Sequence, residues 1–172
     1  MPPDRVIRKG RVESDVWRIA PEEEAGEPLP GGPIAVPLAA WKDRRAELLA
    51  RRDPVGVWLK PEDDPGELGA DIHALQLVAI QFPKFTDGRG YSSAVLLRHR
   101  LGYKGELRAF GDVGRDQLLY LRRCGFDAFS LPAHRDPEAA LAAFDDFSQR
   151  YQGSVDDPLP LFRRRVLQGR SA

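Results

Sequence analysis

Five short apolar runs, each followed by a helical pattern, restrict this chain to few architectures. They are "IAVPL" (Ile34 to Leu38), "VGVWL" (Val55 to Leu59), "LVAIQF" (Leu77 to Phe82), "ELRAFG" (Glu106 to Gly111) and "DAFSL" (Asp127 to Leu131). Apolar runs without polar alternation suit strands buried on both faces. The fourth is weaker, because Arg108 interrupts it. Helical spacing follows in Ala40–Arg52, with Trp41, Leu48 and Leu49 roughly on one side. It recurs after Asp64-Pro65, where Leu68, Ile72 and Leu75 align, and again in Ser92–Leu101 before Gly102 and in Asp116–Cys124 before Gly125. A second Asp-Pro start, Asp136-Pro137, precedes a stripe of Ala140, Phe144, Phe147 and Tyr151.

Strand and helix in strict succession mean parallel pairing with right-handed crossovers. The expected fold is α/β: an open parallel sheet of about five strands with helices on both faces. A closed eight-stranded barrel ordinarily takes about 250 residues, and this chain has 172. Half a barrel completed by a homodimer is the smaller alternative.

Ahead of this unit, Arg5 to Ala20 alternates apolar and polar residues around Lys9-Gly10, the pattern of a β-hairpin with contacts from Val6, Val12, Val16 and Trp17. "PEEEAGEPLPGG" (Pro21 to Gly32) reads as an acidic loop. The expected division is a hairpin at 1–20, a linker at 21–32, the α/β unit at 33–152 and a flexible tail at 153–172.

Composition removes several function classes. Acidic and basic residues balance at 26 each, which argues against nucleic-acid binding. No apolar run approaches the roughly 18 residues of a membrane span, and "MPPDRVIRKG" lacks a signal-peptide core. A single cysteine, Cys124, excludes an internal disulfide and an all-cysteine metal or iron–sulfur site. A reducing, cytoplasmic setting is expected. His73, His99 and His134 have no metal-ligand spacing, so no metal site is predicted.

The chemistry is expected between the third run and its helix, in "FPKFTDGRGYSSAVLLRHR". Ligands of open parallel sheets sit outside the strands' carboxyl ends, near the switch in strand order. Gly88 and Gly90 would permit positive φ and expose backbone N–H groups. A helix start at Ser92 would favour an anion. Lys84 and Arg89 add positive charge, with Thr86, Asp87 and Tyr91 beside them. A second loop, "GDVGRDQ" (Gly111 to Gln117), repeats the construction and brings Asp112, Arg115 and Asp116. Two readings stand. Either Lys84, Arg89 and Arg115 surround one oxyanion or cofactor phosphate, or these residues are turn and cap chemistry with solvated charges. Neither loop is a phosphate loop or a dinucleotide fingerprint.

The block "FPKFTDGRGYSSAVLLRHRLGYKGELRAFGDVGRDQLLYLRRCGFDAFSL" closely resembles the signature of a bacterial family described as oxidoreductases involved in sulfite reduction. Its members are typically encoded beside the sulfite or nitrite reductase haemoprotein. The likeness extends more loosely to Lys9-Gly10-Arg11-Val12 with Trp17 and to Leu141–Gln152. Gly114 departs from the pattern, where a bulkier residue is usual. The resemblance implies a component of assimilatory sulfite reduction, an oxidoreductase or electron-delivery partner of that reductase. The chain lacks a dithiol motif, so such a role would need a borrowed carrier, a flavin or a nicotinamide. A non-catalytic assembly or regulatory module that docks on the reductase is equally compatible.

Overall fold

The structure is a computed structural model and describes residues 5–147 and 151–169. Eight strands form one sheet: β1 (Arg5–Arg8), β2 (Arg11–Ser14), β3 (Arg18–Ile19), β4 (Ile34–Pro37), β5 (Val55–Leu59), β6 (Leu77–Phe82), β7 (Glu106–Gly111) and β8 (Ala128–Ser130). Their order is β2-β1-β8-β7-β6-β5-β4-β3. Neighbours from β3 to β8 are parallel, while β1 is antiparallel to both β8 and β2. The five expected runs are all strands, and the sheet gains β3 and the hairpin at its ends.

That order has a geometric consequence. The sheet begins with β2 and ends with β3, yet only Asp15, Val16 and Trp17 separate them in the chain. Such a link reaches about 14 Å. Eight strands laid flat would hold their outer edges about 34 Å apart. The sheet therefore curls until its two edges approach, leaving a seam between β2 and β3. The curl is achieved within one chain, so a second copy is not needed for it. The hairpin supplies two of the strands that extra βα units would otherwise provide, which is how 172 residues suffice.

The helices are α1 (Leu38–Leu49), α2 (Arg89–Val95), α3 (Arg115–Cys124), α4 (Pro137–Ala140) and α5 (Leu161–Gly169). A 3₁₀ segment, Pro65–Ala74, replaces the helix expected between β5 and β6, and Gly69 (φ 57°) interrupts it. A π-helical turn, Leu96–Arg100, extends α2, and a 3₁₀ turn, Leu141–Asp145, extends α4.

Helices cover one face only, which corrects the expectation of both. The main core joins Trp41, Leu48, Ile72, Leu97, Leu118 and Phe144 to Val36, Val57, Ile80, Leu107 and Phe129 of the strands. The alternate strand residues Ala35, Trp58, Leu77 and Ala79 form a second cluster with Trp17, and no helix contributes to it. Successive parallel neighbours linked by right-handed crossovers must place every helix on the same side. The second cluster is the inside of the curl. For the same reason the order from β3 to β8 never reverses, so the expected switch point does not exist.

The inside is not wholly apolar. Arg108, fully buried, donates from Nη1 to Asp15 Oδ2 (2.7 Å) and from Nε to Glu106 Oε1 (2.8 Å). Glu106 also accepts from Arg8 Nε (2.7 Å). Arg108, which interrupts the fourth apolar run, is the centre of an ion network spanning the sheet from the seam link to β7.

The hairpin turn places both Lys9 (φ 49°) and Gly10 (φ 77°) at positive φ, as a two-residue type I′ turn requires. Val6 and Ile7 are buried, but Val16 is 62% exposed and adds no core contact. The acidic segment 21–32 includes a 3₁₀ turn, Glu22–Glu24. Its carbonyls are held by arginines: Arg44 donates to Ala25 O (3.0 Å) and Glu27 O (2.8 Å), and Arg51 to Pro30 O and Gly32 O. The stripe after Asp136 holds only as far as Phe144, because Phe147 and Tyr151 are exposed. Beyond them, Val155 N donates to Arg123 O (3.0 Å), and α5 carries exposed Phe162 and Val166.

Asp136 caps α4 by accepting from the amides of Glu138 (3.0 Å) and Ala139 (3.3 Å). Asp136→Ala is expected to lower stability by about 1 kcal/mol, the usual worth of such a cap. Urea unfolding followed by circular dichroism measures it.

Candidate functional site

Strands β6 and β7 are parallel neighbours, with Phe82 opposite Gly111 at their ends. The two glycine-containing loops that follow therefore open side by side on one rim of the curled sheet. Hydrogen bonds tie them together. Asp112 N donates to Phe82 O (2.7 Å), and Phe85 N donates to Asp112 Oδ2 (3.1 Å). Gln117 at the start of α3 donates from Nε2 to Phe85 O and to Tyr91 Oη (both 3.2 Å), while its Oε1 accepts from Gly114 N (2.8 Å). Sequence reasoning missed Gln117. Its only signal was its place in the helix's first turn, three residues beyond a glycine, where a side chain can reach back to a backbone N–H.

Gly88 (φ −88°) does not use positive φ, and Gly90 lies inside α2, which starts at Arg89 rather than Ser92. Gly90 serves packing instead. A Cβ there would stand 2.7 Å from the Phe82 ring and 3.0 Å from Ile80 Cγ2. The rim glycine with positive φ is Gly111 (101°).

The charged groups are distributed as follows. Arg89 donates from Nε to Asp87 Oδ1 (3.0 Å) and from Nη2 to Asp87 Oδ2 (2.7 Å). The Arg89 amide also donates to Asp87 Oδ1 (3.2 Å). Asp87 thus occupies the place an outside anion would take at this helix start. Its hydrogen bonds with the Arg89 guanidinium hold its carboxyl below the usual aspartate range, and the same bonds raise Arg89. The pair's contribution is present above about pH 4 and is lost as pH falls through the depressed folded value. On its other side Arg89 Nη1 lies 3.9 Å from Glu62 Oε2.

Arg115 does not turn toward Arg89. It donates to both carboxylate oxygens of Asp146 (3.2 and 2.9 Å), beyond the far end of the Leu141–Asp145 turn. Lys84 and Thr86 are exposed on the first loop. Tyr91 is half-buried between Phe82 and Tyr120, with ring centroids at 5.5 and 5.1 Å, and burial raises its phenol. The structure brings the two loops together and gives Arg89 and Arg115 separate carboxylate partners.

Cys124 packs in the core, where burial raises its thiol, so it is no activated nucleophile. Among the described residues there is no cluster of three histidine, cysteine or acidic side chains able to hold a metal ion, and no helix long and apolar enough to cross a membrane.

Fold and rim together define a mostly parallel α/β protein, curled, with its helices outside and a polar two-loop rim at the strands' carboxyl ends. The chain belongs to the family described as "Bacterial protein of unknown function (DUF934)", whose model matches residues 56–162. That match spans β5 through the start of α5 and includes both rim loops. No curated protein and no solved structure matches the chain.

Proposed function

We propose that this protein is a component of assimilatory sulfite reduction that holds a small oxyanion, or the phosphate of a cofactor, on the β6–β7 rim. One observation carries the reading: two loops, each leading to a helix that opens on an arginine (Arg89 and Arg115), leave adjacent parallel strands in register and are cross-tied by Asp112 and Gln117. The sulfur chemistry rests on the resemblance of Phe82–Leu131 to the sulfite-reduction family. Lys84 and Arg89 are the primary anion ligands. The Arg89 side chain is 59% exposed while its partner Asp87 is 16% exposed, so the guanidinium keeps a solvent-facing side on which an incoming anion can bind. Arg115 joins the anion by releasing Asp146.

Arg89→Ala is expected to weaken sulfite or phosphate binding about tenfold, the loss of one charge-assisted contact, without unfolding the domain. Isothermal titration of wild type and variant measures this, and equal affinities would remove Arg89 from the site. In the redox form of the proposal the same rim holds a flavin or a nicotinamide that passes electrons to the reductase haemoprotein. Freshly purified protein with no visible chromophore and no flavin or nicotinamide binding would leave the accessory form, in which the protein docks on the reductase without chemistry of its own. Failure to co-purify with the reductase would count against that form.

A further inference from the structure

We infer a second binding site, for an apolar-bodied monocarboxylate such as an aromatic acid, at the end of the strands opposite the rim. A cleft of about 380 Å³ lies beneath the hairpin turn, where Lys9 and Gly10 meet the segment that leads into β8. Its volume falls within the range of small-molecule sites. Phe126, Phe129 and Phe144 form its apolar lining, and the Phe129 and Phe144 rings stand 5.4 Å apart. Three cations and two acids line it, leaving one excess positive charge: Lys9, Arg98 and Arg122 against Asp127 and Asp156.

Two of the three cations are already engaged. Arg98 donates to Gly125 O (2.9 Å), Tyr103 O (2.8 Å) and Gly105 O (2.9 Å) and pairs with Asp127 (3.2 Å). Arg122 lies over the Phe144 ring at 4.8 Å and donates to Phe144 O (3.1 Å). The Lys9 ammonium is the remaining one: it is exposed and is held by no close ion pair with a described residue, although its charge acts on Asp127, which Arg98 already pairs with. Its backbone is anchored, because Lys9 N donates to Asp127 O (2.8 Å).

Lys9 is also the non-glycine residue at positive φ among the described residues. Asparagine or glycine suits that turn position better. Strained positions tend to cluster at functional sites, and here the residue with the strained backbone carries the excess positive charge beside an aromatic cleft. A carboxylate on Lys9 with its ring or branched body against the phenylalanines would satisfy both the charge and the apolar wall. The rim proposal is independent of this site.

Benzoate is the probe. Titrated into ¹⁵N-labelled protein, it is expected to shift the amides of Lys9, Gly10 and Asp127 saturably. Acetate, which lacks the ring, and benzyl alcohol, which lacks the charge, are expected to bind at least tenfold more weakly. Lys9→Asn creates the preferred Asn-Gly turn, so it is expected to keep or raise the melting temperature while weakening benzoate at least tenfold. A purely structural Lys9 would not separate the two readouts. Equal benzoate binding by Lys9→Asn and wild type, equal binding of benzoate and benzyl alcohol, or shifts confined to other parts of the chain would each overturn the proposal.

Discussion

Asp15→Ala is expected to lower stability by about 3–5 kcal/mol, the usual loss when one partner of a buried ion pair is removed. Asp15 and Arg108 are 3% and 0% exposed at their side chains, and they meet at 2.7 Å. Removing the acid leaves a guanidinium inside the curl with Glu106 as its remaining carboxylate, and Glu106 is shared with Arg8. The seam link also loses its anchor, because Asp15 Oδ1 accepts from the Trp17 amide (3.1 Å) and so shapes the passage from β2 to β3. In urea the midpoint should fall by about 2 M for a chain of this size. The double variant Asp15→Leu with Arg108→Met removes one charge of each sign and leaves the Arg8–Glu106 pair intact. It is expected to recover most of the loss, as isosteric apolar replacements of buried pairs often do. A loss below 1 kcal/mol for Asp15→Ala would mean that the network is wetter and looser than its geometry.

The second large effect lies on the rim. Gly111→Ala is expected to lose about 2–4 kcal/mol through two causes acting together. At φ 101° an L side chain is strained, and the added methyl would press into the Phe82 carbonyl oxygen, with the carbonyl carbon at 3.0 Å. That oxygen accepts from Asp112 N, so the substitution attacks the tie between the two loops. Gly26→Ala, where nothing stands within 4 Å of the new methyl, is the control and should stay within about 0.5 kcal/mol of wild type. Thermal unfolding of both variants decides the matter. If Gly111→Ala melts with wild type, the rim backbone is not held as described.

How much of this was legible in the sequence depends on the range of each interaction. The strands Val55–Leu59, Leu77–Phe82 and Glu106–Gly111 have the bounds their apolar runs suggest, because burial on both faces writes a largely apolar pattern. The turn at Lys9-Gly10, the Asp64 and Asp136 caps and the stop at Gly125 were legible for a similar reason: each is decided within four residues. Strand order was not legible, since a parallel run looks the same whichever neighbour it takes. The curl and the one-sided helices follow from that order and were lost with it. Arg108 looked like an interruption because its partners are Asp15, far away in sequence, and Glu106, which the strand aims at the same side.

The rim divides in the same way. That both loops open at one edge followed from the parallel succession of strands and holds, while their adjacency needed the strand order and appears in the pairing of β6 with β7. The direction of each guanidinium depended on which acid lay closest in space. Asp87 was in view, two residues from Arg89, while Asp146 reaches Arg115 from another element. The glycines were misread because one residue type serves two needs: Gly90 admits a ring and Gly111 admits a backbone conformation.

The pairing of β1 with β8, Ile7 opposite Phe129 and Arg8 opposite Ala128, has a bearing on biosynthesis. Translation delivers the hairpin more than a hundred residues ahead of β8, its third strand. Until then a two-stranded ribbon, marginally stable alone, presents a bare edge to its surroundings. The nascent protein must keep that edge from mispairing while more than a hundred residues emerge behind it, and its final closure can be no faster than the arrival of Ala128.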